Sequence, residues 1–170
     1  DLYATRRSGE DDIIKNSAVN FYKGDISKEE VEKFYDAQRD PNDATPISYG
    51  LNSKLVKENG KIYEDVYKSG GLYGEAIDQI IYWLEKANAV AENDAQRKYT
   101  NLLINYYKTG DLNIWDEYNV AWVQDSVSMI DYVNGFIEDY GDPMGMKATW
   151  EAVVNFKDLE ATKRSSIISQ

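Results

Sequence analysis

The sequence predicts an α+β fold that is mainly α: a helical hairpin and further helices packed on a small antiparallel sheet. Three observations carry that reading. Apolar residues recur every three or four positions between about Tyr73 and Val123, an Asn-Gly pair separates two short alternating stretches, and after Ser128 the pattern turns β-branched and aromatic with a period of two. Residues 1–24 are weakly patterned, and the polar cluster from Arg6 to Asp12 reads as loop or poorly ordered tail. Ser27 followed three residues later by Glu30 is a capping box opening a helix over about Lys28–Gln38, with Val31, Phe34 and Tyr35 as its apolar stripe. Pro41 and Pro46 argue against its continuation. Asn59-Gly60 predicts a hairpin, against the competing reading of one helix interrupted by a glycine cap.

Ile77, Ile80, Ile81, Leu84, Ala87 and Ala91 mark a helix over about Tyr73–Ala91. Asn93 or Asp94 can cap the next, whose stripe is Tyr99, Leu102, Leu103, Tyr106 and Tyr107 and whose end is expected at Gly110. The short connection makes these two an antiparallel pair. Trp115, Tyr118 and Trp122 define a third helix over Leu112–Val123. Tyr132–Tyr140 reads as a strand ending at Gly141-Asp142-Pro143, and Trp150–Phe156 as its partner. Asp158 then caps a final helix from Leu159. With 170 residues the chain has the length of a single domain or part of one.

Composition narrows the chemistry. Nineteen basic against 30 acidic side chains leave a net charge of −11, which argues against a nucleic-acid partner. No apolar run approaches the roughly 20 residues that span a bilayer. Zero Cys and zero His remove thiolate chemistry, the commonest general base and the usual nitrogen ligand for a transition metal. The 14 Tyr and 4 Trp suit surfaces that are half buried and half wet. An opening on Asp1 and a close inside a helical pattern suggest an excised piece.

From Asp111 to Gly145 there are eight acidic residues and no Lys or Arg, a stretch able to attract an ammonium group or a metal ion, or simply to form a solvated acidic face. On one strand Glu138 and Tyr140 would share a face, a carboxylate for a cationic group beside a phenol able to donate to an oxyanion. An edge-strand pair with the hydroxyl in water is the plain alternative. Glu151 on the next strand could face Glu138, and two facing carboxylates would also suit glycoside hydrolysis. The aromatic stripes of Tyr106, Tyr107, Trp115 and Trp122 read as core.

Asn101–Leu112, Trp122-Val123-Gln124-Asp125 and Asn134–Gly145, the last carrying Gly-Phe-Ile-Glu-Asp-Tyr-Gly-Asp-Pro, resemble the dipeptidyl peptidase III family, particularly its bacterial branch. Ala18–Tyr22 and Thr45–Lys54 are similar to the same branch. The resemblance implies a zinc exopeptidase that releases dipeptides from the free N-terminus of short peptides, with two lobes around a cleft. The family's His-Glu-x-x-x-His helix and later Glu-bearing helix have no counterpart here. The chain therefore resembles a portion of the non-zinc lobe, with no cofactor of its own and zinc in the intact enzyme.

Carried over to matching positions, the resemblance implies that Glu138 binds the substrate ammonium and Tyr140 the scissile carbonyl or its oxyanion. Ile137 would contribute contacts in the same subsite, and Glu151 would support the ammonium site. The implied partners are short peptides with a free N-terminus and the zinc lobe of the same chain, in the cytoplasm as the family implies. By itself the piece is expected to be inert, with an exposed face where the other lobe would pack. A non-catalytic, aromatic-rich peptide- or carbohydrate-binding module is the alternative function.

Overall fold

A computed structural model describes residues 11–169 and contains five helices and two small sheets. Residues 11–66 build the smaller half. Residues 11–24, expected as tail, are tied in. Ile14 and Phe21 are buried, the Asp12 carboxylate accepts from the Lys28 amide, and Tyr22–Lys23 forms strand β1. The tail expectation for residues 1–10 lies outside the described residues. Helix α1, Lys28–Asp36, starts on the capping box: Ser27 accepts from the Glu30 amide while the Glu30 carboxylate accepts from the Ser27 amide.

Strands β2, Ser53–Glu58, and β3, Lys61–Val66, form the hairpin. Asn59 and Gly60 sit at φ 51° and 77°, the left-handed pair that a two-residue turn requires and that Asn-Gly tolerates best. β1 adds to β2 in parallel, a pairing too short for any sequence period to reveal.

The larger half is the helical hairpin. Helix α2, Gly74–Ala89, and helix α3, Asp94–Thr109, are joined by a short turn. The Asn93 side chain caps α3 through the Gln96 amide, and Gly110 closes it at φ 74°. Helix α4 spans Leu112–Val123, capped by Asp111. Ile77, Ile81, Leu84, Leu103, Tyr106, Tyr107, Trp115 and Tyr118 form one continuous core. Strand β4, Ile130–Glu138, pairs antiparallel with strand β5, Thr149–Phe156. Helix α5, Leu159–Ile168, is capped by Asp158 and has no buried residue. Among the described residues no helix is long and apolar enough to cross a membrane.

The late strands β4 and β5 make one small antiparallel sheet, and the Asn59-Gly60 hairpin belongs with β1 to a second, separate sheet. One expectation is corrected: β4 stops at Glu138 instead of Tyr140, since the pairing slips at Phe136/Glu138 and the chain then turns through Asp142 N–H to Asp139 O. On β4, Gly135 is needed for a close approach: a Cβ there would run into the Trp115 ring. Gly135→Ala is expected to lower stability by about 1–3 kcal/mol through overpacking, read as a fall in the thermal midpoint. An unchanged midpoint would show that the α4–β4 contact is looser than this packing implies.

Candidate functional site

The site is built at the end of β4 and in the segment that leads to β5. Glu138, the last residue of β4, pairs with Thr149, whose hydroxyl donates to the Glu138 carbonyl at 3.3 Å. Ile137 is left without a partner by the slip in register, a β-bulge that re-aims the residue after it. Glu151, which the sequence allowed to face Glu138, lies directly opposite Gly135. Thr149 and Glu151, two apart on β5, share a face, so Glu138 and Glu151 are diagonal neighbours on one side of the ribbon. Tyr140 stands beyond the strand end, 65% exposed, which frees the phenol from the strand's alternation. The structure therefore brings Glu138, Ile137 and Glu151 together on β4–β5 and sets Tyr140 in the turn beside them.

The acidic stretch divides into two groups. Asp111 caps α4, and Asp125 accepts from the Val127 and Ser128 amides. Asp131 accepts the Trp122 indole N–H at 2.8 Å, and Asp142 is buried. Those four hold backbone or side chains in place, while Asp116, Glu117, Glu138 and Asp139 remain for solvent or a ligand. Burial holds the Asp116 carboxyl above its ordinary range.

An apolar cavity of about 560 Å³ adjoins the Glu138–Thr149 pair, lined among others by Phe21, Tyr67, Tyr73, Phe136, Thr149 and Trp150. Tyr73 is held at φ 61°, an uncommon conformation for a bulky residue, with its ring 5.2 Å from that of Tyr67. The cavity floor is fixed by a chain of hydrogen bonds. The Trp150 indole N–H donates to the Tyr107 hydroxyl at 2.8 Å, which donates to Asn134 Oδ1 at 2.7 Å. The core assignment of Tyr106, Tyr107 and Trp115 stands, with Trp122 packed at its margin.

Two buried charges had no signal in the sequence. Lys147 and Asp142 are both fully buried. Met146-Lys147-Ala148 reads like any surface lysine between apolar neighbours. Asp142 Oδ2 accepts from the Tyr22 hydroxyl and from the Met146 and Lys147 amides. Burial pushes the Lys147 ammonium down to about 8, against the opposing pull of Glu64 and Asp142.

The sequence profile of peptidase family M49 matches residues 11–170. The chain is 31% identical over 94 residues to dipeptidyl peptidase 3 of Rattus norvegicus, covering 54% of this chain and 13% of that protein. It is 24% identical over 168 residues to dipeptidyl peptidase 3 of Dictyostelium discoideum, covering 87% of this chain and 24% of that one. Among solved structures, DPP III from Caldithrix abyssi superposes with a TM-score of 0.66 at 25% identity, over 88% of this chain and 28% of that chain. The protein from Corallococcus sp. strain EGB gives 0.63 at 20% identity over 88% and 27%, a likeness of fold. The chain thus spans about a quarter or less of the length of these relatives.

Proposed function

The chain belongs to peptidase family M49, and from that premise we propose that it supplies the wall of a dipeptidyl peptidase that receives the free N-terminal end of a short peptide. The observation that carries the reading is the β4–β5 ribbon itself. It sets Glu138, near the end of the Asp111–Gly145 stretch that is free of Lys and Arg, on one face with Glu151, next to an apolar cavity large enough for a side chain.

In this reading the Glu138 carboxylate accepts the substrate ammonium in a charge-assisted hydrogen bond, and Glu151 adds negative potential from the diagonal position. Ile137 offers apolar and backbone contact where the bulge turns it. The exposed Tyr140 hydroxyl donates to the scissile carbonyl oxygen as negative charge develops on it.

The zinc ion implied by the family does not fit these residues. The chain has no His or Cys, and among the described residues no group of three or more Asp or Glu converges as a metal site. The contribution of this chain is therefore to bind and orient substrate, and by itself it is expected to release no dipeptide. Trp83, Val154 and Phe156, 66%, 71% and 80% exposed, support the reading that the zinc-bearing part of the same polypeptide packs against this chain.

Glu138→Gln in the full-length peptidase is expected to raise KM for free-amine peptides by about 10- to 100-fold, the worth of one hydrogen bond to a charged group, with kcat changed less. Unchanged KM would remove the amine site from this position. The aromatic lining of the cavity equally suits a non-catalytic binding module. That reading takes the lead if this chain alone binds neutral, Nα-blocked peptides as tightly as free-amine ones.

A further inference from the structure

The buried Lys147 is unused by the proposed substrate contacts, and its surroundings are specific. Its ammonium donates to the Tyr35 hydroxyl at 2.7 Å, to Ser53 Oγ and the Ser53 carbonyl at 3.1 Å each, and to the Gly50 carbonyl at 3.3 Å. Among the described residues no carboxylate touches it. Instead the Tyr35 hydroxyl donates to Glu64 Oε1 at 2.8 Å and the Ser53 hydroxyl to the same oxygen at 2.6 Å.

The result is an ion pair bridged by two hydroxyls, drawing on α1, β2 and β3. The ammonium can only donate, so it orients both hydroxyls to donate onward to Glu64. The Tyr22 and Tyr35 rings lie 5.8 and 5.2 Å from the cation, and buried Asp142 adds a second anion. Space is tight as well: a Cβ on Gly50, itself at φ 85°, would stand 2.7 Å from the Tyr35 hydroxyl and 3.2 Å from Lys147 Nζ.

This cluster is where the substrate segment is fastened to the smaller half of the molecule. Residues 139–148 run from Glu138 and Tyr140 back to Thr149 and Glu151. Directly after Lys147, the Ala148 amide donates to the Leu51 carbonyl, and Thr149 pairs with Glu138. The β4–β5 connection is thus tied to the smaller half by the Lys147 ammonium, the Ala148 amide and the bond from the Tyr22 hydroxyl to Asp142. We propose that Lys147 is a positioning residue for the amine-binding site, holding the β4–β5 connection against β2 through its hydroxyl-bridged pair with Glu64. The inference rests on the reading of Glu138 as the amine acceptor.

The test uses the full-length peptidase carrying this segment, as Lys147→Met, Glu64→Gln and the double variant, with two independent readouts. The first is hydrogen exchange. Lys147→Met is expected to speed exchange of the 146–148 amides by about 100-fold or more, as local opening replaces an anchored loop, while α3 amides stay unchanged. The second is kinetics on a dipeptidyl arylamide with a free amine. KM should rise about tenfold with kcat within about twofold, well inside the hundredfold that a 1 Å misplacement can cost.

Glu64→Gln should move both readouts the same way by less. The double variant should be no worse than Lys147→Met, because the two residues act through one network. Should Lys147→Met fail to fold, Glu64→Gln alone carries the test. Exchange at 146–148 that stays at the parent rate, additive effects, or a loosened loop with unchanged KM would each overturn the proposal. A parent enzyme that shows no preference for free amines overturns the amine-site reading instead, and exchange with its Glu64 coupling still decides whether Lys147 is the anchor.

Discussion

Raising the pH past about 10 is expected to unfold the chain in one cooperative step, with tyrosinate absorbance and loss of helical circular dichroism rising together. Tyr35, Tyr67, Tyr106, Tyr107 and Tyr118 are all buried, and burial drives each phenol above its ordinary value. For Tyr35 the neighbouring Glu64 carboxylate pushes the same way.

The unfolded chain gives up these protons near pH 10 while the folded chain keeps them. The folded state then binds more protons, and stability falls as the pH rises. Each phenol contributes a slope of about 1.4 kcal/mol per pH unit, so five together give roughly 7. A domain stable by about 5–15 kcal/mol is exhausted within one or two units. Lys147 has the opposite sign. Its folded-state value of about 8 lies below the ordinary 10.5, so the folded chain sheds that proton first and stability rises between those values. Maximal stability should therefore fall near pH 10, just before the collapse. Gradual tyrosinate formation with the helices intact would show that the tyrosines are reached by solvent without unfolding.

Asp142→Ala is expected to lower stability by about 3–5 kcal/mol, the range for breaking a buried charged network by removing one partner. The carboxylate accepts from the Tyr22 hydroxyl and from two consecutive amides, and its charge helps keep Lys147 protonated. Its removal orphans three donors and leaves the buried cation with one anion fewer. For a chain of this size the thermal midpoint should fall by on the order of 10 °C. Asp142→Asn keeps one acceptor oxygen and should lie between parent and Ala variant. Thermal unfolding followed by circular dichroism checks both, and midpoints within about 2 °C of the parent would sink the idea.

The helices were legible because their signals are local. Ser27 with Glu30, Asn93 with Gln96, and Asp158 with Ala161 all satisfy amides within three residues, and the 3–4 apolar period needs only the helix's own face. The Asn59-Gly60 turn is equally local. The end of β4 was not, because a bulge at Ile137 depends on how β5 pairs across from it. For the same reason, whether Glu151 met Glu138 or Gly135 depended on a register that neither strand specifies alone.

Of the candidate site, the family string around Glu138 and Tyr140 was readable as a string, and its residues lie along a single strand and turn. The anchor was invisible. Lys147 finds its partners 94, 97 and 112 residues earlier in the chain, and a lysine is solvated wherever nothing else surrounds it. By itself the sequence determined the family, the helices, the hairpin turn and the acidic, His-free chemistry of this chain. Only the tertiary structure decided which acids stay available, where the strand stops and which charge is buried, because burial, register and ion pairing are set by residues remote in sequence.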